Sequence, residues 1–166
     1  SDIDGTLLDP NNYSLGNLKN YINEIKNKVS IIFNTSKTFS EVIQINTKLK
    51  LDFPFIVENG ACIFFPSNYE RILNNHKSNK QFFTHKDYFA FKMTYLTAEN
   101  LMMMTSRLKS LFNFSFYSEL TNKELMKFTN LKIDSVKRSK ERQFTNPILW
   151  RDSKEKIIDF KSEIKK

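Results

Sequence analysis

Residues 1–9 read Ser-Asp-Ile-Asp-Gly-Thr-Leu-Leu-Asp, and this stretch decides the fold class. Asp2 and Asp4 stand two positions apart where a hydrophobic strand would end, so alternation along the strand sends both side chains the same way. Gly5 and Thr6 then form a turn, where the backbone leaves the strand. Mg²⁺ prefers carboxylate oxygens, waters and phosphate oxygens, and a carboxylate held there can also attack phosphorus. The pattern indicates a metal-assisted phosphate site; the alternative is an acidic turn that only caps a helix.

The composition is that of a folded chain. The 166 residues are 40% hydrophobic and include 16 Phe, enough for a packed core in one domain or in one and part of another. The single Cys62 excludes an intramolecular disulfide and fits a reducing cytoplasm, and its apolar neighbours in the sequence indicate packing. No stretch approaches the roughly 18 apolar residues that cross a membrane, so we expect no membrane partner.

The chain is basic, with a net charge of +8 and a pI near 9.5. Such a charge suits nucleic acid or an anionic small molecule. The densest cluster of basic residues comprises Lys132, Lys137, Arg138, Lys140 and Arg142, and a run of this kind is most often a solvated helix face. The sequence has no aromatic-glycine nucleic-acid motif. We therefore expect an anionic small molecule and no nucleic acid as partner, and the oligomeric state stays open.

Hydrophobic periodicity in the first half predicts alternating strands and helices. Helical spacing covers residues 15–27 and 40–48, and apolar runs at 29–33 and 53–57 are typical of buried strands. Residues 61–65 then turn back as a hairpin. Strands and helices in alternation predict an open α/β sheet, in which ligands lie beyond the carboxyl ends of the strands. The polar residues that fall at such ends are Asp2, Asp4, Thr35, Lys37, Glu58 and Asn59.

The second half has a different pattern of apolar and polar residues, and this pattern predicts an α+β module. Residues 66–86 are polar and are interpreted as a linker with solvated His76 and His85, so the expected domains are 1–80 and 81–166. We predict helices over 97–111, from Thr121 to about 128 with a Thr121–Glu124 capping box, over 133–142, and from an Asp152–Glu155 cap nearly to the end, with extended segments at 112–117 and 143–150.

The opening motif resembles the first signature of the haloacid dehalogenase superfamily, Asp-x-Asp-Gly-Thr. That resemblance implies a Rossmann-like core, with a parallel sheet and flanking helices, and an inserted α+β cap domain. It makes Asp2 the nucleophile and Asp4 the general acid/base, with both residues at an Mg²⁺ site. Thr35 matches the Ser or Thr of the second signature, which binds the transferring phosphoryl group.

Two further segments narrow the resemblance. Residues 58–61, Glu-Asn-Gly-Ala, are similar to the Cof-type sugar phosphatases. Ser36-Lys37-Thr38 together with Arg-Gln-Phe-Thr-Asn-Pro-Ile-Leu-Trp at 142–150 resembles the mannosyl-3-phosphoglycerate phosphatase family, which implies an anionic phosphorylated sugar-glycerate substrate. The substrate-binding residues implied are Ser36, Lys37, Glu58, Asn59, Gly60, Arg142, Gln143 and Thr145.

The sequence also departs from that family. Phe39 stands where we expect a basic residue, and Gln143 and Asn146 stand where we expect acids, which leaves glucosyl-3-phosphoglycerate or another phosphosugar open as substrate. The superfamily's later Lys and Gly-Asp-x-x-Asn-Asp signatures are not found, so we expect an N-terminal fragment with an incomplete core. The alternatives are a Cof-type phosphatase, a phosphomutase, or a truncated non-catalytic anion-binding protein.

Overall fold

A computed structural model describes residues 1–9, 13–73 and 80–165. The chain divides into two compact units, Ser1–Tyr95 and Leu96–Lys166. The segment from 82 to 92 belongs to the first unit, because it pairs with the sheet of that unit. His76 and most of the expected linker lie outside the described residues. In the parts of the chain described, no helix is both long and apolar enough to cross a membrane.

The first unit is a mixed α/β layer structure, as the sequence predicts. Its five-stranded sheet has the order β1-β2-β3-β5-β4, in which β1 and β2 are parallel and the other pairs are antiparallel. The elements are α1 (Leu18–Ile25), β1 (Phe33–Asn34), α2 (Phe39–Leu49), β2 (Phe55–Val57), β3 (Cys62–Pro66), a 3₁₀ turn (Ser67–Tyr69), α3 (Glu70–Leu73), β4 (Phe82–His85) and β5 (Tyr88–Lys92).

The opening residues extend this sheet on the free side of β1. The amino group of Ser1 donates to the Ile32 carbonyl at 2.8 Å, and the Asn34 N–H donates to the Ser1 carbonyl at 2.9 Å. This alternation of donor and acceptor around one residue is the pattern of a parallel ladder. Asp2 and Asp4 therefore lie at the same edge of the sheet as the loop after β1.

The structure departs from the predicted elements in three places. The strand predicted at 29–33 is reduced to β1, and Val29 and Ile32 are exposed, because β2 pairs only from Phe33 onward. The expected linker contains α3 and β4. The β4–β5 hairpin was not predicted, although its aromatic-rich strands and the turn at Lys86, with φ of 53°, are hairpin signals.

The second unit combines helices with a two-stranded antiparallel sheet, in which Phe114 faces Trp150. Its elements are α4 (Ala98–Thr105), a 3₁₀ helix (Ser106–Ser110), β6 (Phe114–Phe116), a 3₁₀ turn (Tyr117–Glu119), α5 (Asn122–Thr129), α6 (Ile133–Ser139), β7 (Ile148–Trp150) and α7 (Lys156–Ile164). One core cluster contains Leu108, Phe112, Phe114, Phe116 and Phe160, and a second contains Leu120, Leu125 and Val136.

Two expectations for this unit are wrong in detail. The helix predicted over 97–111 becomes 3₁₀ at Ser106, which rotates the following side chains and leaves Leu111 exposed. Asp152 does not cap α7. Instead its carboxylate accepts the N–H groups of Asn113 at 3.1 Å and Ser153 at 2.8 Å, so it fixes the loop before β6.

Candidate active site

Two of the sequence motifs meet at one ion pair. The Lys37 Nζ atom lies 2.8 Å from Asp4 Oδ1. Lys37 is 8% exposed, whereas the Asp4 side chain is 40% exposed, so the pair lies at the boundary between the core and the solvent. Asp4 comes from the opening turn and Lys37 from the loop that joins β1 to α2. The fold thus places a carboxylate and an ammonium group side by side at the carboxyl edge of the parallel strands.

Thr35 is fixed by the loops on both sides of it. It is 3% exposed, its N–H donates to the Ile56 carbonyl at 3.1 Å, and its carbonyl accepts the Asn59 N–H at 3.0 Å. Its hydroxyl oxygen accepts the Lys37 N–H at 3.2 Å. A hydroxyl that accepts one hydrogen bond still has its own O–H to donate. Thr35 therefore presents a held donor next to the lysine.

The Glu58–Gly60 turn supports this loop mainly through its backbone. The Glu58 N–H donates to the Lys37 carbonyl at 2.9 Å, and the φ angles of Glu58, Asn59 and Gly60 are 51°, 61° and 89°. Left-handed backbone at three successive residues is unusual, and the largest value falls on the glycine. Glu58 is buried and Asn59 is exposed, so of these two the asparagine presents its side chain to solvent.

Lys37 also faces a second carboxylate on α2. Glu41 Oε1 lies 3.6 Å from Lys37 Nζ, and the ammonium stands 5.6 Å from the centre of the Tyr13 ring. Glu41 was not singled out in the sequence as a site residue. Its position four residues after Lys37, inside a Thr-x-x-Glu cap, was the available signal.

Asp2 and Asp4 can supply part of the ligand shell of a hard divalent ion. Among residues 1–9, 13–73 and 80–165 no group of three or more His, Cys, Asp or Glu side chains is placed to hold a metal. Mg²⁺ is usually held by one or two carboxylates, with waters and phosphate oxygens completing its shell. Asp2 and Asp4, both exposed, meet that requirement. Ser36 is likewise exposed beside Lys37.

Two of the candidates in the second unit, Arg142 and Thr145, line a small cavity. The Arg142 guanidinium donates to Thr145 Oγ1 from Nε at 3.1 Å and from Nη2 at 2.9 Å. The Gln143 carbonyl accepts the Ala98 N–H at 2.9 Å, which ties it to the start of α4. The cavity of about 30 Å³ is lined by Ala98, Tyr117, Ser118, Lys140, Arg142, Thr145 and Asn146.

Sequence analysis singled out two further lining residues, Asn146 and Lys140, but not the contacts that they make. Asn146 accepts the Ser118 N–H at 3.3 Å and donates to the Ser118 hydroxyl at 2.9 Å, a contact created by the pairing of β6 with β7. Lys140 donates to the Leu120 carbonyl at 2.8 Å, so this ammonium has a structural contact. A volume of this size holds one or two waters rather than a sugar ring.

Cys62 belongs to the core, as the sequence indicates. It is 0% exposed, and burial together with the nearby Glu58 charge raises the pKa of its thiol to about 12. A thiol with that pKa is protonated at neutral pH and is a poor nucleophile. Its role is therefore packing.

Comparison with known proteins identifies the family of the chain. A model of the haloacid dehalogenase-like hydrolases matches residues 1–166, and the chain belongs to this family. It is 32% identical over 156 residues to a glucosyl-3-phosphoglycerate/mannosyl-3-phosphoglycerate phosphatase of Persephonella marina, with 93% of this chain and 55% of that protein covered.

Two further relatives are named mannosyl-3-phosphoglycerate phosphatase. The chain is 30% identical over 132 residues to the mannosyl-3-phosphoglycerate phosphatase of Pyrococcus furiosus, covering 78% of the chain and 52% of that protein. It is 29% identical over 160 residues to the protein of the same name in Pyrococcus horikoshii, covering 95% and 62%. The chain thus spans about half to three fifths of the length of these curated relatives.

Proposed function

We propose that the protein is an Mg²⁺-dependent phosphatase that hydrolyses the phosphomonoester of a glycosyl-3-phosphoglycerate, with mannosyl-3-phosphoglycerate as the first candidate. The observation that carries this proposal is the Asp4–Lys37 contact of 2.8 Å, which joins the Asp-x-Asp-Gly-Thr turn to the Thr-Ser-Lys-Thr loop. The names of the relatives supply the substrate class.

The proposed chemistry uses the two aspartates in turn. An Asp2 oxygen attacks phosphorus, and the bond from phosphorus to the glycerate oxygen breaks as Asp4 gives that oxygen a proton. Asp4 then takes a proton from water, and the water oxygen attacks the aspartyl-phosphate to release phosphate and regenerate Asp2. Bound Mg²⁺, held by Asp2 and Asp4, would neutralise phosphate charge.

The residues around the aspartates then have defined tasks. The Lys37 ammonium supplies a fixed positive charge for the phosphoryl oxygens, and the Thr35 hydroxyl supplies a donor. Ser36 and Asn59 have exposed side chains at the same edge. Glu58 and Gly60 contribute through the turn that holds the Lys37 carbonyl.

The second unit is proposed to select the substrate as the cap domain of this family. The Arg142 guanidinium, oriented by Thr145, has the planar geometry that binds a carboxylate such as that of glycerate. Gln143 keeps hydrogen-bonding capacity for sugar hydroxyls without a charge. The core and cap assignments, with Mg²⁺ as cofactor, belong to this proposal.

The test is the variant Asp2→Asn of the protein produced from its complete gene. Phosphate release from a panel of phosphosugars is measured in the presence of Mg²⁺. Loss of the nucleophile is expected to lower kcat by roughly 10⁴-fold or more. Asp134→Asn, an exposed aspartate in the first turn of α6, is the matched control and keeps full activity. Turnover by Asp2→Asn at the unchanged rate would remove the nucleophile from the proposal.

A second candidate is anion binding without turnover. It would use the Lys37 ammonium and the Thr35 hydroxyl, which lie at the same loop and can contact an anion without a metal. Calorimetry with inorganic phosphate, with and without Mg²⁺, separates the two candidates: binding accompanied by no Mg²⁺-dependent phosphate release supports the second. Isomer interconversion without net release of phosphate would indicate a mutase.

A further inference from the structure

Glu41 is a buried carboxylate whose two oxygens have different partners. Its Oε2 atom accepts the Thr38 N–H at 3.0 Å and the Thr38 O–H at 3.1 Å. Its Oε1 atom faces Lys37 Nζ at 3.6 Å. Glu41 is 8% exposed. One side chain thus connects the N-terminal cap of α2 to the lysine of the phosphate site.

Capping alone does not require the charge of Glu41. A capping box accepts either Glu or Gln at this helix position, and Gln avoids the cost of burying a charge. A carboxylate here is explained by the ammonium that it faces. Lysine has a flexible four-carbon stem and three N–H donors, so a second partner on the buried side restricts where Lys37 Nζ can lie.

We infer that Glu41 is a positioning residue of the phosphate site, an inference that rests on the proposed function. It acts through Lys37, whose ammonium it holds between its own Oε1 and Asp4 Oδ1. Without that charge, the remaining carboxylate partner at this ammonium is the exposed Asp4, and the Tyr13 ring lies farther away at 5.6 Å, so Lys37 Nζ is held less firmly. Because α2 begins at Phe39, directly after its N-cap Thr38, the same contact couples the ammonium to the rigid first turn of the helix.

The chain provides a matched control for this inference. Thr121 and Glu124 form the same capping box on α5, with the Thr121 N–H and O–H each 2.8 Å from Glu124 Oε2. Arg151 stands 3.7 Å from Glu124 Oε1, and both side chains are 43% exposed. Glu41→Gln and Glu124→Gln therefore make the same chemical change to the same local motif, but only the first faces Lys37.

The test combines ¹H–¹⁵N NMR with steady-state kinetics on the protein produced from its complete gene. The ¹H–¹⁵N signal of the Lys37 ammonium, assigned by its loss in Lys37→Arg, reports how firmly the group is held. We expect Glu41→Gln to broaden or abolish this signal. We also expect kcat to fall by roughly tenfold to a hundredfold, with KM changing by less than about threefold.

Glu124→Gln is expected to leave the Lys37 signal and kcat unchanged, and thermal unfolding of both variants measures the capping loss that they share. Glu41→Asp, which keeps the charge, is expected to recover part of the lost kcat. An unchanged Lys37 signal with unchanged kcat in Glu41→Gln would overturn the inference and leave Glu41 as a helix cap. Absence of phosphate release by the unchanged protein would count against the proposed function alone, since the spectrum still reports the hold on Lys37.

Discussion

A buried ammonium needs carboxylate partners, because an uncompensated charge in the interior costs several kcal/mol. Lys37 has two such partners, Asp4 at 2.8 Å and Glu41 at 3.6 Å. One partner belongs to the opening turn and the other to α2. A lysine in Thr-Ser-Lys-Thr is by itself a weak sequence signal. It indicates a site only because the sheet places it beside Asp4. Lys37 therefore joins the opening motif and the loop after β1 in one arrangement.

At the same scale, the reactivity of Cys62 tests its assignment to the core. Its thiol pKa of about 12, against an ordinary 9.0, lowers the thiolate fraction about a thousandfold at pH 8, and the side chain is 0% exposed. We expect modification by Ellman's reagent to be at least that much slower in the native protein than in guanidinium. Rapid modification of one thiol per chain under native conditions would contradict the assignment.

Among the elements, α2 packs against the sheet through Phe39. This residue departs from the basic residue expected in the family, and the structure supplies a reason: its ring packs 4.6 Å from that of Phe64 and 5.8 Å from that of Phe55. The ring is 5% exposed. Phe39 therefore fixes the helix that carries Glu41 onto the sheet, a packing role that a charged side chain would not fill.

Replacement of Phe39 by alanine is expected to lower the free energy of unfolding by about 3–5 kcal/mol, the range for removing a buried phenyl ring. Chemical denaturation followed by circular dichroism measures the change. Phe128→Ala, at a residue of α5 that is 56% exposed, is the control and is expected to stay within about 0.5 kcal/mol of the unchanged protein. Equal effects at both positions would show that α2 does not depend on this packing.

Helix caps show what local sequence can and cannot predict. The Thr121–Glu124 box was predicted and is present, because all its hydrogen bonds lie within four residues. The Asp152–Glu155 cap was wrong, because Asp152 is drawn to the N–H of Asn113, 39 positions away in sequence. A local capping motif fails where a distant group takes the hydrogen bond that the cap needs, as the Asn113 N–H does at Asp152.

For the whole molecule, the α/β class and the meeting of the first two motifs followed from the order of strands and helices. The place of the β4–β5 hairpin in this sheet did not, because it depends on β5 pairing with β3. Charge pattern alone also could not tell that Lys140 donates to the Leu120 carbonyl. Contacts that pairing creates are the part of the site that periodicity leaves undetermined.

That pairing brings His85, at the end of β4, onto the aromatic core, with its ring 4.7 Å from that of Phe39 and 5.9 Å from that of Phe64. The expected solvated histidine is therefore half-buried instead. Burial, reinforced by the neighbouring Lys86 charge, lowers the pKa of His85 from its ordinary 6.5. Just below pH 6.5 the unfolded chain then binds more protons than the folded chain.

The stability of the whole molecule should therefore fall as the pH drops from 7 through 6.5, until the folded imidazole is itself protonated. The pKa values of Glu119 and Asp152, lowered from 4.5 and 3.8, produce the same sign of change but only at lower pH. We expect His85→Phe to flatten the fall in Tm between pH 7 and 5, whereas His76→Gln, at the other histidine of the chain, retains it. A calorimetric scan in half-unit steps of pH measures this, and an equal slope in His85→Phe and the unchanged protein would show that His85 does not control it.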